Sequence, residues 1–257
     1  MAADPQIGDT ALLTALAATK GVVCLVGAGG KKTTMYALAR SHPGKVLLSS
    51  TSHMYPYARD QVDQIVMLED GESAMPDVAA YRIVAVATKS QTPKRIGGLS
   101  GQRIHDLYHD LGFDVCIIKA DGARARWIKT PGPHEPLIPS FADTVIPVVS
   151  AKVVGRPLQD DIAHRPERLA RFFDINLGDP ILPRHVVELL SSATGALKGV
   201  GRATVVPLIN MVDDDQLHQQ ARQIARATLA RSERVSRIVL ASMKHARIVE
   251  IVERDSV

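Results

Sequence analysis

The sequence, 257 residues long, is poor in aromatics: one Trp, four Phe and five Tyr make up 4% of it. A core without them must be built from Val, Ile, Leu and Ala, which suits a parallel sheet covered by helices on both faces. Cysteine is almost absent. Cys24 and Cys116 each sit inside an apolar run, VVCLV and DVCIIK, where a thiol behaves as a small hydrophobe. Two thiols on separate strands make neither a disulfide framework nor a cysteine metal cluster, and they suit a reducing compartment. No apolar run approaches the roughly 20 residues needed to cross a bilayer. The first residues carry Asp4 and Asp9 and lack the basic start and apolar core of a signal peptide. Blocks of like charge are missing too. The formal net charge of +4 is spread along the chain and reads as a solvated basic surface; nucleic-acid binding would need a basic stripe with interleaved aromatics. The expectation is a cytoplasmic protein with no membrane and no nucleic-acid partner.

What is present is regular. Apolar residues are 46% and charged residues 23% of the chain, enough for a packed core and against wholesale disorder. Apolar spacing alternates between strand and helix periods. Helical spacing covers 10–20, with Gly21 as its stop, then 31–40, 101–111, 166–173, 183–190 and 213–231. Strands are expected at 22–26, 45–50, 65–68, 81–88, 114–120, 144–149, 204–209, 235–241 and 246–252. Pro147 within 144–149 implies an edge strand or a bulge. Strands alternating with helices predict an α/β fold with a doubly wound, mainly parallel sheet, a three-layer sandwich of the P-loop NTPase type. No repeat or linker interrupts it, so residues 1–257 read as one domain. Ligands of such sheets bind beyond the carboxyl ends of the strands.

The first strand runs into Gly27-Ala28-Gly29-Gly30-Lys31-Lys32-Thr33-Thr34 and then a helix. Glycines let backbone N–H groups converge on an anion, and the helix start adds a favourable dipole. A lysine reaches the outer phosphates and a hydroxyl helps to hold magnesium. The pattern departs from the usual phosphate loop. Counting back from Gly30-Lys31 puts Leu25 where the first glycine belongs, so the loop is shorter and is similar to that of the Mur-type ligases. Lys32 occupies the usual hydroxyl position. Either lysine can therefore be the phosphate-loop lysine, and Thr33 or Thr34 must supply the hydroxyl. The expected ligands are ATP or GTP with Mg2+.

The strand at 114–120 ends in Asp121-Gly122, where a carboxylate would position magnesium together with Thr33. Arg124, Arg126 and Lys129 follow and suit a polyanionic second ligand. His53, His134-Glu135, His164 and Arg165 lie in loops at the same end of the expected sheet. His134 and Glu135 join Lys31 and Asp121 as candidate catalytic groups, and His53, His164 and Arg165 join the candidate substrate contacts. Late in the chain Asn210-Met211-Val212-Asp213 follows a strand. GTP-binding proteins read guanine with Asn-Lys-x-Asp at such a place; here Met211 replaces the lysine. Ser242-Met243-Lys244, after the next strand, weakly echoes the loop that backs the base. A helix cap would also account for the acids.

The motifs VGAGGKKTT, SSTSHM, KADGARARWIKTPGPHEPLIP, GRPLQDDIAHRPE and NMVD together resemble the YqeC family, described as accessory proteins of selenium-dependent molybdenum hydroxylases or as selenium cofactor biosynthesis proteins. They span about residues 22–215. The resemblance implies a P-loop-like fold, nucleotide binding and a partner that is a molybdenum hydroxylase or a cofactor-maturation protein. Lys119 stands where members of that family usually carry an acid.

Overall fold

The computed structural model describes residues 6–69 and 75–254. The extreme amino-terminal residues weighed against a signal peptide lie partly outside that range, as do both ends of the expected 1–257 domain. The described chain forms one ten-stranded, mostly parallel sheet. In chain order its strands are β1 (Gly21–Gly27), β2 (Val46–Ser50), β3 (Gln64–Leu68), β4 (Ile83–Thr88), β5 (Val115–Lys119), β6 (Thr144–Ser150), β7 (Thr204–Val205), β8 (Leu208–Asn210), β9 (Arg237–Ser242) and β10 (Arg247–Glu253). They lie side by side as β10-β9-β8-β6-β1-β5-β2-β4-β3, with β7 also beside β6. β10 runs antiparallel to β9.

The central strands β1, β2 and β5 are buried almost throughout. Alternate residues feed two separate apolar layers, as the two-residue strand period requires. Val23, Leu25, Leu48 and Ile117 pack against helices α1 (Gln6–Ala15) and α2 (Lys31–Ser41) through Leu12, Leu13, Met35 and Leu38. Val22, Cys24, Val26 and Ile118 face the other way. That second layer is closed by α3 (Gly101–Asp110), α4 (Pro166–Phe173), α5 (Pro183–Ser191) and α6 (Asp215–Arg231), through residues such as Ile104, Leu169, Val186 and Ile224. Both cysteines are free and fully buried. Burial, helped by Asp143, pushes the Cys24 thiol up to about 12, so it stays protonated.

Three expectations need correction. The first helix does not run to Gly21; it ends at Ala15. Ala17 turns left-handed at φ 50°, while Ala18 N donates to Leu13 O and Ala17 N to Thr14 O. That paired closure normally uses glycine, and an alanine gives no stop signal. Pro147 lies on neither an edge nor a bulge, since β6 is flanked by β1 and by β7 and β8. Asp143 and Val145 carbonyls accept from Thr204 and Val206, so odd-numbered positions of β6 face that neighbour. The missing N–H of Pro147 therefore points at the break between β7 and β8, where Pro207 interrupts pairing. The same break divides the strand expected at 204–209 in two.

Candidate functional site

β1 delivers the chain to the carboxyl edge of the sheet at its centre. There Gly27, Gly29 and Gly30 take φ of 85°, 98° and 113°, values that side chains disfavour. A Cβ on Gly27 would lie 2.5 Å from Val148 O, and one on Gly29 would lie 2.5 Å from Ser150 N. The loop therefore passes hard against β6. Ala28 N and Gly29 N are bonded to Val148 O and Arg126 O, each at 2.9 Å. The first helical bond runs from Thr34 N to Gly30 O. Hence Lys31, Lys32 and Thr33 offer the amides that the start of α2 can present to an anion.

The two lysines occupy different places. Lys31 is 5% exposed; its ammonium turns back into the loop, donates to Gly27 O and lies 2.9 Å from Asp121 Oδ1. Lys32 Nζ instead donates to Pro56 O at 2.7 Å and lies over the Tyr36 ring. The threonines differ as well. Thr34 is fully buried and donates to Gly30 O, whereas Thr33 is exposed and faces the cleft.

Asp121 is 1% exposed beneath the loop. Its Oδ2 accepts from Gly27 N at 3.0 Å and lies 3.0 Å from Lys129 Nζ. Oδ1 faces Lys31 at ion-pair distance without hydrogen-bond alignment. Burial opposes its charge, but Lys31 and Lys129 hold the carboxyl below the usual aspartate range. Lys129 also contacts Glu135 Oε2 at 2.8 Å and donates to Gly122 O. A carboxylate neutralised by two ammonium groups does not fit as a direct ligand of a divalent cation. Among the described residues no three His, Cys, Asp or Glu side chains are grouped to hold a metal.

Above this floor opens a cleft of about 510 Å3. It gathers Ala28–Thr33, His53, Arg124, Arg126, Glu135, His164 and Arg165 from sequence-distant loops. Among the described residues, Lys31, Lys32, Arg95, Lys119, Arg124, Arg126 and Arg165 line it against the single carboxylate of Glu135. Such an excess of one sign focuses the field on an anion. Gly27, Asp121 and Lys129 lie under it, lining a small apolar void. His134 is exposed and lies outside the cleft lining. Burial, reinforced by Lys129 and Arg165, lowers His164 to about 4, so it is neutral near pH 7.

Asn210 is buried and bridges two loops: its Nδ2 donates to Gly29 O at 2.7 Å and its Oδ1 accepts from Met243 N at 2.9 Å. Asp213 lies outside the cleft lining, accepts from Ser242 Oγ at 2.7 Å and pairs with Lys152 at 2.6 Å. Met211, in a left-handed conformation, covers the loop end of the cleft. Asp214, next in the chain, caps α6 by accepting from Leu217 N. Asn210→Ala strands a buried carbonyl and a buried N–H, at about 1–3 kcal/mol each. Urea unfolding should therefore show a loss of about 2–6 kcal/mol, and a loss under 1 kcal/mol would remove the bracing role.

Among the lining residues that the sequence did not mark as site residues are Tyr55, Arg95 and Lys119. Lys119 is 8% exposed and donates to Ser52 Oγ at 3.1 Å. Burial and then Lys31 push its ammonium down to about 7. Its signals in the sequence were a lysine closing an otherwise apolar strand and its place where the resembled family usually carries an acid.

These features, a mostly parallel sheet between helical layers with a glycine-lysine turn at its centre, define an α/β class of three-layer architecture. Residues 23–167 match the family model for YqeC protein, and the chain belongs to the YqeC family. It is also similar to the "Uncharacterized protein YqeC" of Escherichia coli (strain K12), at 26% identity over 201 residues, covering 76% of this chain and 77% of that one.

Proposed function

We propose that the cleft binds a nucleoside triphosphate through its phosphates, and that the protein is a nucleotide-dependent accessory factor. The fold reading that goes with it is a P-loop-like phosphate site. One observation carries the proposal: a glycine turn at the centre of the sheet, with the buried Lys31 ammonium in its hollow, opens into a cleft lined, among the described residues, by seven cations and one acid. In this reading Lys31 neutralises the outer phosphates, the first amides of α2 hold them, and Thr33 is the hydroxyl beside them. A metal carried in with the nucleotide would contribute charge neutralisation at the phosphates. Arg124, Arg126 and Arg165 hold further negative charge from the facing loop. Catalysis, where it occurs, is positioning and charge stabilisation, because Asp121 and Glu135 are both committed to lysines. The same commitment favours, as a second reading, a nucleotide-switched binder without hydrolysis. The family resemblance supplies the context, maturation of a selenium-dependent molybdenum hydroxylase or its cofactor.

The base is read on the β8–β9 side in this proposal. What supports it is an asparagine tied to both the phosphate loop and the β9 end, followed by Asp213 just beyond the cleft lining, which a base would have to draw from its Lys152 and Ser242 partners. Thermal unfolding with ATP or GTP at 100 times Kd, with and without Mg2+, should raise stability by about 2.7 kcal/mol for the nucleotide that binds. Asp213→Asn should abolish a preference for GTP over ATP. No shift with either nucleotide sinks the proposal; an ATP preference indifferent to Asp213 sinks the guanine part alone.

A further inference from the structure

The cleft does not stop at the phosphate loop. On the side away from Met211 it continues between the loops that follow β2, β4 and β5, and Lys119, His53, Tyr55, Thr92 and Arg95 line that part. Its walls are joined by backbone pairing. β2 and β5 are neighbours with Ser50 opposite Lys119, and Ser50 Oγ donates to Lys119 O at 2.7 Å. From there the chain leaves β2 and meets the 95–98 segment in a short antiparallel bridge, Met54 N to Ile96 O at 3.1 Å and Ile96 N to Met54 O at 2.9 Å. A Cβ on Gly98 would lie 2.5 Å from Ser52 N, so the two segments touch backbone to backbone.

That bridge sets Tyr55 and Arg95 together. The Arg95 guanidinium lies 3.6 Å from the Tyr55 ring centroid. Tyr55 is 50% exposed, a large flat surface left open inside a cleft. Lys119, beside it, differs from the other two buried lysines of the floor. Lys31 and Lys129 are paired with Asp121, and Lys129 also with Glu135. Lys119 has a serine hydroxyl as its hydrogen-bond partner and no ion pair among the described residues. Three buried ammonium groups therefore face two carboxylates, and the uncompensated one opens on the compartment with the aromatic surface. Without a counter-ion Lys119 meets the cost of burial by being partly neutral near pH 7, and an anionic ligand beside it would favour its charged form.

We infer that this compartment is a second-ligand site for a planar, anionic molecule. Its ring stacks on the Tyr55–Arg95 surface and its acid group meets Lys119. The inference rests on the proposed phosphate site only for what lies next door: a nucleotide on the loop leaves this compartment open and puts its outer phosphate beside the second ligand.

The test uses 2-naphthoate, a fluorescent planar carboxylate, and its neutral amide, each titrated into the full chain with and without saturating nucleotide. Expected results are saturable naphthoate binding in both states, at least tenfold weaker binding of the amide, and at least tenfold weaker naphthoate binding in Lys119→Met and in Tyr55→Ala. Nucleotide affinity should stay within about twofold of wild type in Tyr55→Ala. Tyr55 is exposed, so that variant keeps the test alive if Lys119→Met fails to fold. The inference falls if naphthoate does not bind, if the amide binds equally, or if neither substitution matters. It also falls if Tyr55→Ala weakens nucleotide instead, since the surface would then belong to the nucleotide's own base. Failure of every nucleotide to bind sinks the phosphate-loop reading alone, because the titration without nucleotide still reports on this compartment.

Discussion

Replacing Asp121 by Asn should cost the protein about 3–5 kcal/mol of stability, the loss seen when one member of a buried ion pair is removed. The carboxylate is the shared counter-charge of Lys31 and Lys129, all three side chains being at most 4% exposed. An amide of the same shape still accepts from Gly27 N but leaves Lys31 without an acid; Lys129 keeps Glu135. Adding Lys31→Met to Asp121→Asn should therefore recover part of the loss, whereas independent sites would simply add. The pH dependence has a definite sign. The folded carboxyl titrates below its unfolded value of about 3.9, with Lys31 and Lys129 overcoming the effect of burial. Its contribution is complete above the unfolded value and is lost as pH falls through the lower folded one. The gap between wild type and Asp121→Asn, measured by urea unfolding, should thus be constant near neutrality and close on acidification below about pH 4. A loss under 1 kcal/mol, or a gap that widens in acid, would show that the triad does not hold the floor together.

How far the sequence foretold this arrangement depends on how local each feature is. β1, the glycine turn and α2 are contiguous, and a strand run, three glycines and helical spacing announce them in order. α4 begins at Pro166 as expected, because proline at a first helical position is a local signal. The first helix was misjudged because Ala17 adopts a backbone conformation that its residue type does not advertise. Pro147 was misjudged because its tolerance depends on a gap in the neighbouring strand more than 50 residues later. The same distinction governs the site. That Ala28–Thr33, His53, Arg124, Arg126, His164 and Arg165 share one cleft was expected only from loops at one end of a sheet; spacing could not show it, and it left His134 outside. Tyr55 and Arg95 meet through a bridge between segments 42 residues apart. Asn210 reaches Gly29 across 181 residues, and its role as a brace follows from that contact rather than from its motif. Lys119 draws its character from being one ammonium too many on a shared floor, a property of the assembled site and of no single segment.

Lys31→Met should reduce nucleotide affinity at least 100-fold, about 2.8 kcal/mol at 1.4 kcal/mol per tenfold, while leaving the fold intact. The two halves of this expectation have separate grounds. For affinity, Lys31 is the ammonium that sits in the hollow of the glycine turn, donating to the Gly27 carbonyl. A polyphosphate entering the turn replaces that carbonyl with charged oxygens, and bonds to charged groups are the stronger ones. Lys32 points away to Pro56 on the facing loop, so Lys32→Ala should cost less than tenfold. For stability, removing Lys31 leaves Asp121 with Lys129 and the Gly27 amide, so no charge is stranded, in contrast to Asp121→Asn. Calorimetric titration of the nucleotide that stabilises the wild type, alongside circular dichroism melts, reads both halves. Retained affinity in Lys31→Met together with lost affinity in Lys32→Ala would hand the phosphate contact to Lys32. Undiminished affinity in both variants would mean that the turn does not grip phosphate at all.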